Sequence, residues 1–114
     1  MSLDIKKEYC EEKNKWVITP IGEVDIYTSP KFKEFLSELI IEKESDLLID
    51  AAKLDYIDST GLGVLISALK KLKEKNKNIY ISNVKPNIRK LFDITSLDKV
   101  FIIEEWIGYG KRFN

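Results

Sequence analysis

The side chains best suited to catalysis, binding or modification lie together in the stretch YIDSTGLGVLISALKK, Tyr56–Lys71. In it, Asp58, Ser59 and Thr60 bring a carboxylate and two hydroxyls directly before two closely spaced glycines. Three kinds of function use such a group: nucleophilic catalysis, phosphate binding, and modification by another protein. The residue types in the rest of the chain discriminate between them.

Nucleophilic catalysis would use the hydroxyl of Ser59, which is inert without a neighbouring base. The chain contains no histidine that could be this base. A Ser–Lys pair remains open because a buried lysine can accept a proton, but the lysines cluster on faces that the pattern predicts to be solvated. We therefore predict that the protein is not an enzyme.

Phosphate binding would require a glycine-rich loop such as GxxxxGK[ST] or GxGxxG. The chain offers only Gly61 and Gly63, without the following Lys-Ser/Thr. The loop does lead into a helix, where free backbone N–H groups favour an anion. A purely structural interpretation is also open: Asp58 or Ser59 caps the helix, and the glycines permit close packing against the preceding strand. From the residues alone, this interpretation is favoured.

Length and composition exclude several other classes of function. The chain of 114 residues fits one domain, residues 1–114. Its 19 basic and 19 acidic residues leave no net charge to attract nucleic acid or an anionic membrane. One cysteine and no histidine exclude the usual metal-ligand spacings. The same cysteine and histidine counts predict a cytoplasmic, metal-free protein. The charged N-terminus excludes a secretory signal, and no apolar run approaches the roughly 20 residues of a membrane span.

Hydrophobic periodicity predicts the elements that must position the motif. A hairpin begins the chain, and helices then alternate with strands in the order ββαβαβαβ. Ser29 is predicted to cap the first helix, and Asp46–Ala51 reads as a strand buried on both faces. The predicted fold is α/β, with helices packed on a mixed central sheet of four to five strands. Trp106, Tyr109 and Phe113, in a terminal segment without periodicity, are interpreted as a cover over the core.

Two stretches closely resemble the anti-sigma factor antagonist branch of the STAS family. Tyr56–Phe101 contains the acid-Ser-Ser/Thr-Gly-Leu-Gly run, a lysine-rich amphipathic helix, and the later RKLFDIT. Gly22–Leu36, GEVDIYTSPKFKEFL, is similar to the N-terminal signature of that family. Ser96 stands where many relatives have glycine, so a positive φ there would be mildly strained.

The resemblance implies a partner switch with Ser59 as its phosphorylation site. In this family an anti-sigma factor, which is also a serine kinase, binds the unphosphorylated antagonist and releases a sigma factor. Phosphorylation ends that binding, and a PP2C-like phosphatase reverses it. ATP and magnesium belong to the kinase, so the resemblance implies no cofactor in this chain. The implied partner-binding residues are Glu23, Asp25, Thr28, Asp58, Thr60, Gly61, Leu62 and Gly63.

Two alternatives accompany this interpretation. STAS domains also occur in transporter tails, lipid-trafficking complexes and stress assemblies. The chain could therefore be a regulatory scaffold or a nucleotide-sensing module without a phosphoserine switch. The segment containing Glu23, Asp25 and Thr28 could likewise be only a solvated turn before the Ser29 cap.

Overall fold

The structure, a computed structural model, describes residues 2–107 and 111–113. Seven strands and three α-helices are described, together with a short 3₁₀ helix at Leu97–Lys99. In chain order they are β1 Leu3–Cys10, β2 Lys15–Val24, α1 Ser29–Glu42, β3 Asp46–Asp50, β4 Leu54–Ile57, α2 Ser59–Lys73, β5 Ile79–Ser82, α3 Pro86–Ile94, β6 Ile102–Ile107 and β7 Lys111–Phe113. The α/β fold and the predicted order of its main elements are confirmed.

The strands form one mixed sheet in the order β1-β2-β3-β5-β6-β7. The β1–β2 hairpin is antiparallel, and so is the β6–β7 pair at the other edge. Between them, β2, β3, β5 and β6 run parallel, as helical crossovers require. The sheet therefore has two more strands than the upper number of the predicted four to five. The additional strands, β4 and β7, are short segments without a clear alternation of apolar and polar residues.

The short strand β4 is the unpredicted element that matters for the site. It pairs in parallel with the end of β2, with a register shift between Gly22 and Glu23. Its two middle residues are exposed and its two end residues are buried, so it lacks the alternation that identifies a strand in sequence. This pairing brings the chain segment before α2 next to the segment before α1.

The core contains apolar side chains of the sheet and of all three α-helices. One face of α1 points inward, with Phe32, Leu36 and Leu39 buried. Leu65 and Leu72 of α2 are buried in the same core cluster. Full burial of each such side chain stabilises the fold by roughly 1.5–3 kcal/mol, so this packing holds the N-termini of both helices in place.

The start of α1 differs from the prediction. Thr28 is the N-cap residue, and Ser29 is the first residue of the helix. Ser29 is buried and its N–H donates to the carbonyl of Asp25 at 2.7 Å. Capping by Ser29 is therefore wrong, because the turn formed by Asp25 and Thr28 fixes the entry of the chain into the helix.

Ser96 adopts the left-handed conformation, with φ 62° and ψ 17°. It follows α3 and precedes the 3₁₀ helix, whose Lys99 N–H donates to the Ser96 carbonyl at 3.2 Å. The site does therefore require a positive φ, the condition under which strain at Ser96 was expected. A residue with a Cβ loses on the order of 1 kcal/mol in this conformation, so Ser96 carries a small strain that a glycine would not. The side chains of Trp106 and Phe113, and all of Tyr109, lie outside the described residues.

Candidate functional site

Two loops meet at one edge of the sheet because β2 and β4 are parallel neighbours. In their register, Glu23 pairs with Tyr56 and Val24 pairs with Ile57. The N–H of Asp58 then donates to the carbonyl of Val24 at 3.1 Å. The loop that leads into α1 and the loop that leads into α2 therefore lie side by side, and both predicted parts of the site are at the same place.

Asp58 is the N-cap of α2. Its Oδ1 accepts hydrogen bonds from the N–H groups of Thr60 at 3.0 Å and Gly61 at 3.1 Å, and also from the Thr60 hydroxyl. The pKa of Asp58 is lowered, chiefly by the hydrogen bond from the Thr60 hydroxyl. Partial burial raises the pKa, whereas the backbone N–H groups of Gly61, Thr60 and Ile26 lower it further. The interpretation of Asp58 as a helix cap is confirmed, and its carboxylate is charged at neutral pH.

The first turn of α2 is not an open anion site. Asp58 already uses the N–H groups of Thr60 and Gly61, and the Leu62 N–H donates to the Asp58 carbonyl at 2.9 Å. The expectation that free N–H groups face outward here is therefore wrong for three of the first four residues of the helix. An anion at this end would still be favoured by the helix dipole, but it would also face the charged carboxylate of Asp58.

Ser59 is the first residue of α2 and its side chain is exposed. Thr60 is also exposed, but its hydroxyl donates to Asp58. Within the described part of the chain, no hydrogen bond to the Ser59 hydroxyl is found. The two adjacent hydroxyls therefore differ: the hydroxyl of Thr60 belongs to the helix cap, whereas that of Ser59 faces solvent.

Asp25 organises the loop before α1. Its Oδ1 accepts from the N–H groups of Tyr27 at 2.9 Å and Thr28 at 3.0 Å, while its own N–H donates to Thr28 Oγ1 at 2.9 Å. The Thr28 hydroxyl lies 2.8 Å from the Glu23 carbonyl, to which it donates. Asp25 is only 3% exposed. The segment is therefore an ordered turn around a buried carboxylate, and the alternative of a solvated turn is wrong.

The predicted partner-binding residues fall into three groups by exposure. Thr60 and Gly63 are exposed, whereas Glu23, Thr28 and Asp58 are partly buried; Asp25, Gly61 and Leu62 are buried. A buried side chain can position its neighbours but offers no surface to a partner. Contact of these residues with a partner stays a prediction. The three buried residues can support partner binding only by keeping the two loops in position.

The two glycines of the motif have different surroundings. A Cβ added at Gly61 would lie 2.6 Å from Ile57 Cγ1 and 2.7 Å from Val24 Cγ1. A Cβ added at Gly63 would meet no atom within 4 Å. The predicted close packing of the glycines against the strand is therefore confirmed for Gly61 and wrong for Gly63.

Three exposed apolar side chains near the two loops were not among the site residues predicted from the sequence. Ile26 and Tyr27 lie in the loop before α1, and Tyr56 lies on β4. A sequence signal exists for the first two, because they are adjacent apolar residues in a short connection that belongs to no periodic stripe. The sequence could not show that they project to solvent, since that depends on the turn around Asp25.

Replacing Asp58 by alanine should lower the free energy of unfolding by about 1 kcal/mol, because Thr60 and Gly61 lose the acceptor of their N–H groups. Asp58→Asn keeps an oxygen acceptor and should cost less. The pKa of Asp58 is lower in the folded state than in the unfolded state, where it is about 4. The charged carboxylate therefore stabilises the fold at pH values above the unfolded-state pKa, and this stabilisation is lost as the pH falls through the folded-state pKa. Chemical denaturation over a pH series measures this; a difference between wild type and Asp58→Ala that did not shrink in acid would contradict it.

A cluster of metal ligands and a membrane-spanning helix are both missing from residues 2–107 and 111–113. In these ranges there is no group of three or more His, Cys, Asp or Glu side chains that could hold a metal ion. No helix in the same ranges is both long enough and apolar enough to cross a membrane.

Comparison with known proteins identifies the family. The family model described as the STAS domain matches residues 7–108. The chain belongs to the STAS domain family. This STAS domain is 40% identical over 84 residues to an anti-sigma-B factor antagonist of Staphylococcus epidermidis, covering 74% of this chain and 78% of that relative. The family and its anti-sigma factor antagonist branch, inferred from the motif, are thereby confirmed.

Two solved structures share the fold of this STAS domain. An anti-sigma factor antagonist from Mycobacterium paratuberculosis superposes with a TM-score of 0.74 at 23% identity, covering 88% of this chain and 85% of the other. The Bacillus cell fate determinant SpoIIAA, in its phosphorylated form, gives a TM-score of 0.66 at 18% identity and covers 90% of each chain. Anti-sigma factor antagonists of this family are regulatory binding proteins, which confirms the prediction that the chain is not an enzyme.

Proposed function

We propose that this STAS domain is a partner switch controlled by phosphorylation of Ser59. In its unphosphorylated form it binds an anti-sigma factor that is also a serine kinase, and a sigma factor is released. Phosphorylation of Ser59 ends the binding, and a PP2C-like phosphatase restores it; both events take place in the cytoplasm. The observation that carries the proposal is the exposed hydroxyl of Ser59 at the first position of α2, directly after the capping carboxylate of Asp58.

The hydrogen bonds of the cap favour Ser59 over Thr60 as the modified residue. A phosphoryl group on Thr60 would remove the hydroxyl proton that is donated to Asp58, and would place two anions in direct contact. A phosphoryl group on Ser59 would leave every bond of the Asp58 cap in place. The exposed position also lets a kinase reach the hydroxyl without unfolding the helix.

The phosphoryl group would act on binding through charge. It adds about −1.5 to −2 charges beside the carboxylate of Asp58. A partner surface that closes over a neutral serine would have to remove water from this dianion, which is costly unless the partner supplies new cations. ATP and magnesium belong to the kinase in this scheme, so the chain itself needs no cofactor.

The fold is compatible with such a modification. SpoIIAA, which shares this fold, has been solved in both its unphosphorylated and its phosphorylated form. In that protein, therefore, the phosphorylated state is a folded state. This supports a switch that acts at the surface of the domain and not through its unfolding.

The test is to incubate the chain with each purified anti-sigma factor kinase of the organism that encodes it, with Mg-ATP, and to locate phosphate by peptide mass spectrometry. We expect phosphate on Ser59 and almost none on Thr60. Ser59→Ala should abolish modification and retain binding, because the loss of one exposed hydroxyl leaves the surface neutral. Phosphate chiefly on Thr60 or Ser29 would contradict the assignment. No binding and no modification by any of these kinases would instead favour a scaffold or nucleotide-sensing module.

A further inference from the structure

Three exposed apolar side chains lie in the two segments that meet before Ser59. Tyr27 is 81% exposed, Ile26 61% and Tyr56 46%. We refer to these three side chains as the apolar rim. Single exposed apolar residues are common on protein surfaces and need no explanation. Three large ones at the same edge of a sheet are unusual, and such clusters mark interaction sites.

The fold holds the apolar rim outward. The carboxylate of Asp25 accepts the N–H groups of Tyr27 and Thr28, and the Thr28 hydroxyl ties the turn back to the Glu23 carbonyl. These bonds fix the backbone on both sides of Ile26. A partner that binds the rim therefore does not need to order this loop first, which lowers the entropic cost of association.

The apolar rim and Ser59 lie on neighbouring segments of the chain. The N–H of Asp58, the residue directly before Ser59, donates to the carbonyl of Val24, two residues before Ile26, at 3.1 Å. Tyr56 precedes Asp58 by two residues on β4, and pairs across the sheet with Glu23 at the end of β2. A protein surface that covers the Ser59 hydroxyl would therefore also reach the rim.

We infer that Ile26, Tyr27 and Tyr56 are the main apolar anchors of this domain for its anti-sigma factor; the inference rests on the function proposed above. The partner's surface must then contain an apolar depression that receives Tyr27 and Ile26, and a neutral area that covers Ser59. Tyrosine suits this role because it buries a large apolar area while its hydroxyl can still find a polar partner.

This arrangement also explains why one phosphoryl group would be sufficient to end binding. Anchors that exclude water lower the local dielectric, which raises the cost of burying a nearby charge. A phosphate on Ser59 would stand at the margin of the region that the rim keeps dry. The apolar anchors would supply the affinity, and Ser59 would control whether they can be used.

The test compares exposed apolar residues inside and outside the rim. Tyr27→Ala and Ile26→Ser should each weaken binding of the cognate unphosphorylated anti-sigma factor at least about tenfold, as truncation of an interface anchor typically does. Ile41→Ser is the matched control. Ile41 is 85% exposed near the end of α1, roughly 18 Å along the helix from its start beside the site. Its variant should bind like wild type, and all three variants should melt like wild type.

Each outcome decides the inference. If wild type binds and is phosphorylated at Ser59 but both rim variants bind equally well, the inference is wrong and the proposed function stands. If wild type binds none of the anti-sigma factors, the proposed function fails and the inference with it. Light scattering provides a further readout. Wild-type dimers that become monomers in Tyr27→Ala, with partner affinity unchanged, would assign the rim to a second copy of this chain and overturn the inference.

Discussion

Phosphorylation of Ser59 should weaken the affinity for the anti-sigma factor at least about tenfold, equivalent to 1.4 kcal/mol, and should change the free energy of unfolding by less than about 1 kcal/mol. The two effects differ in size because they have different physical origins. In the complex the partner must dehydrate the dianion, whereas in the free domain Ser59 is exposed and its phosphate stays in water.

Two small terms oppose each other in the free domain. The dipole of α2 favours a negative charge at its first residue by about 0.3–1 kcal/mol at an exposed position. Repulsion from the carboxylate of Asp58 costs about 1 kcal/mol or less in water, and salt reduces it further. Because Asp58 already uses the N–H groups of Thr60 and Gly61, the phosphate does not gain these donors. The net effect on folding should therefore be close to zero.

Calorimetric titration and thermal melts of the two phosphoforms measure both quantities. Ser59→Ala, incubated with kinase and Mg-ATP in the same way, controls for modification elsewhere and should keep its affinity. Ser59→Asp should weaken binding less than phosphate does, because a carboxylate carries less charge. A phosphoform that melted far lower, with binding lost in proportion to its unfolding, would show that the switch acts on the fold.

Alanine at Gly61 should destabilise the domain, whereas alanine at Gly63 should stabilise it slightly. Both glycines lie in the first turns of α2, so both variants gain the same advantage of alanine over glycine in a helix, about 1 kcal/mol. The Cβ at position 61 would also collide with the side chains of Val24 and Ile57, which are both buried and cannot move away freely. Overpacking of this kind typically costs 1–3 kcal/mol.

The difference between these two variants isolates the steric cost, because the helical term is common to both. Urea denaturation should place Gly61→Ala below Gly63→Ala by about 1–3 kcal/mol in free energy of unfolding. Equal stabilities would mean that α2 can shift away from β2 and β4 at little cost. In that case, the close packing of α2 against these strands would not require a glycine at position 61.

Local features of the chain were predictable from the sequence. The stripe of Phe32, Leu36 and Leu39 identified α1 because helical periodicity is expressed within a few consecutive residues. Capping by Asp58 was among the predicted interpretations for the same reason, since a cap joins residues only two or three positions apart. The family could be inferred from the motif because its residues are contiguous.

The placement of the site depended on contacts between distant segments. Strand β4 exists because it pairs with the end of β2, about 30 positions earlier in the chain, and four residues without alternation cannot reveal such a pairing. The α1 cap was mispredicted because the buried turn around Asp25 outweighed the intrinsic preference of serine for an N-cap position.

The sequence by itself determined the main helices and strands, and it narrowed the cap of α2 to Asp58 or Ser59, because these properties depend on neighbours along the chain. Phosphorylation of Ser59 stays a prediction. Only the tertiary structure decided that Gly61 is packed and Gly63 is free, and that Ile26 and Tyr27 project to solvent. Burial and exposure are set by what lies across the sheet or on the next helix. Residues of the same type in the same short stretch can therefore have different roles once the chain is folded.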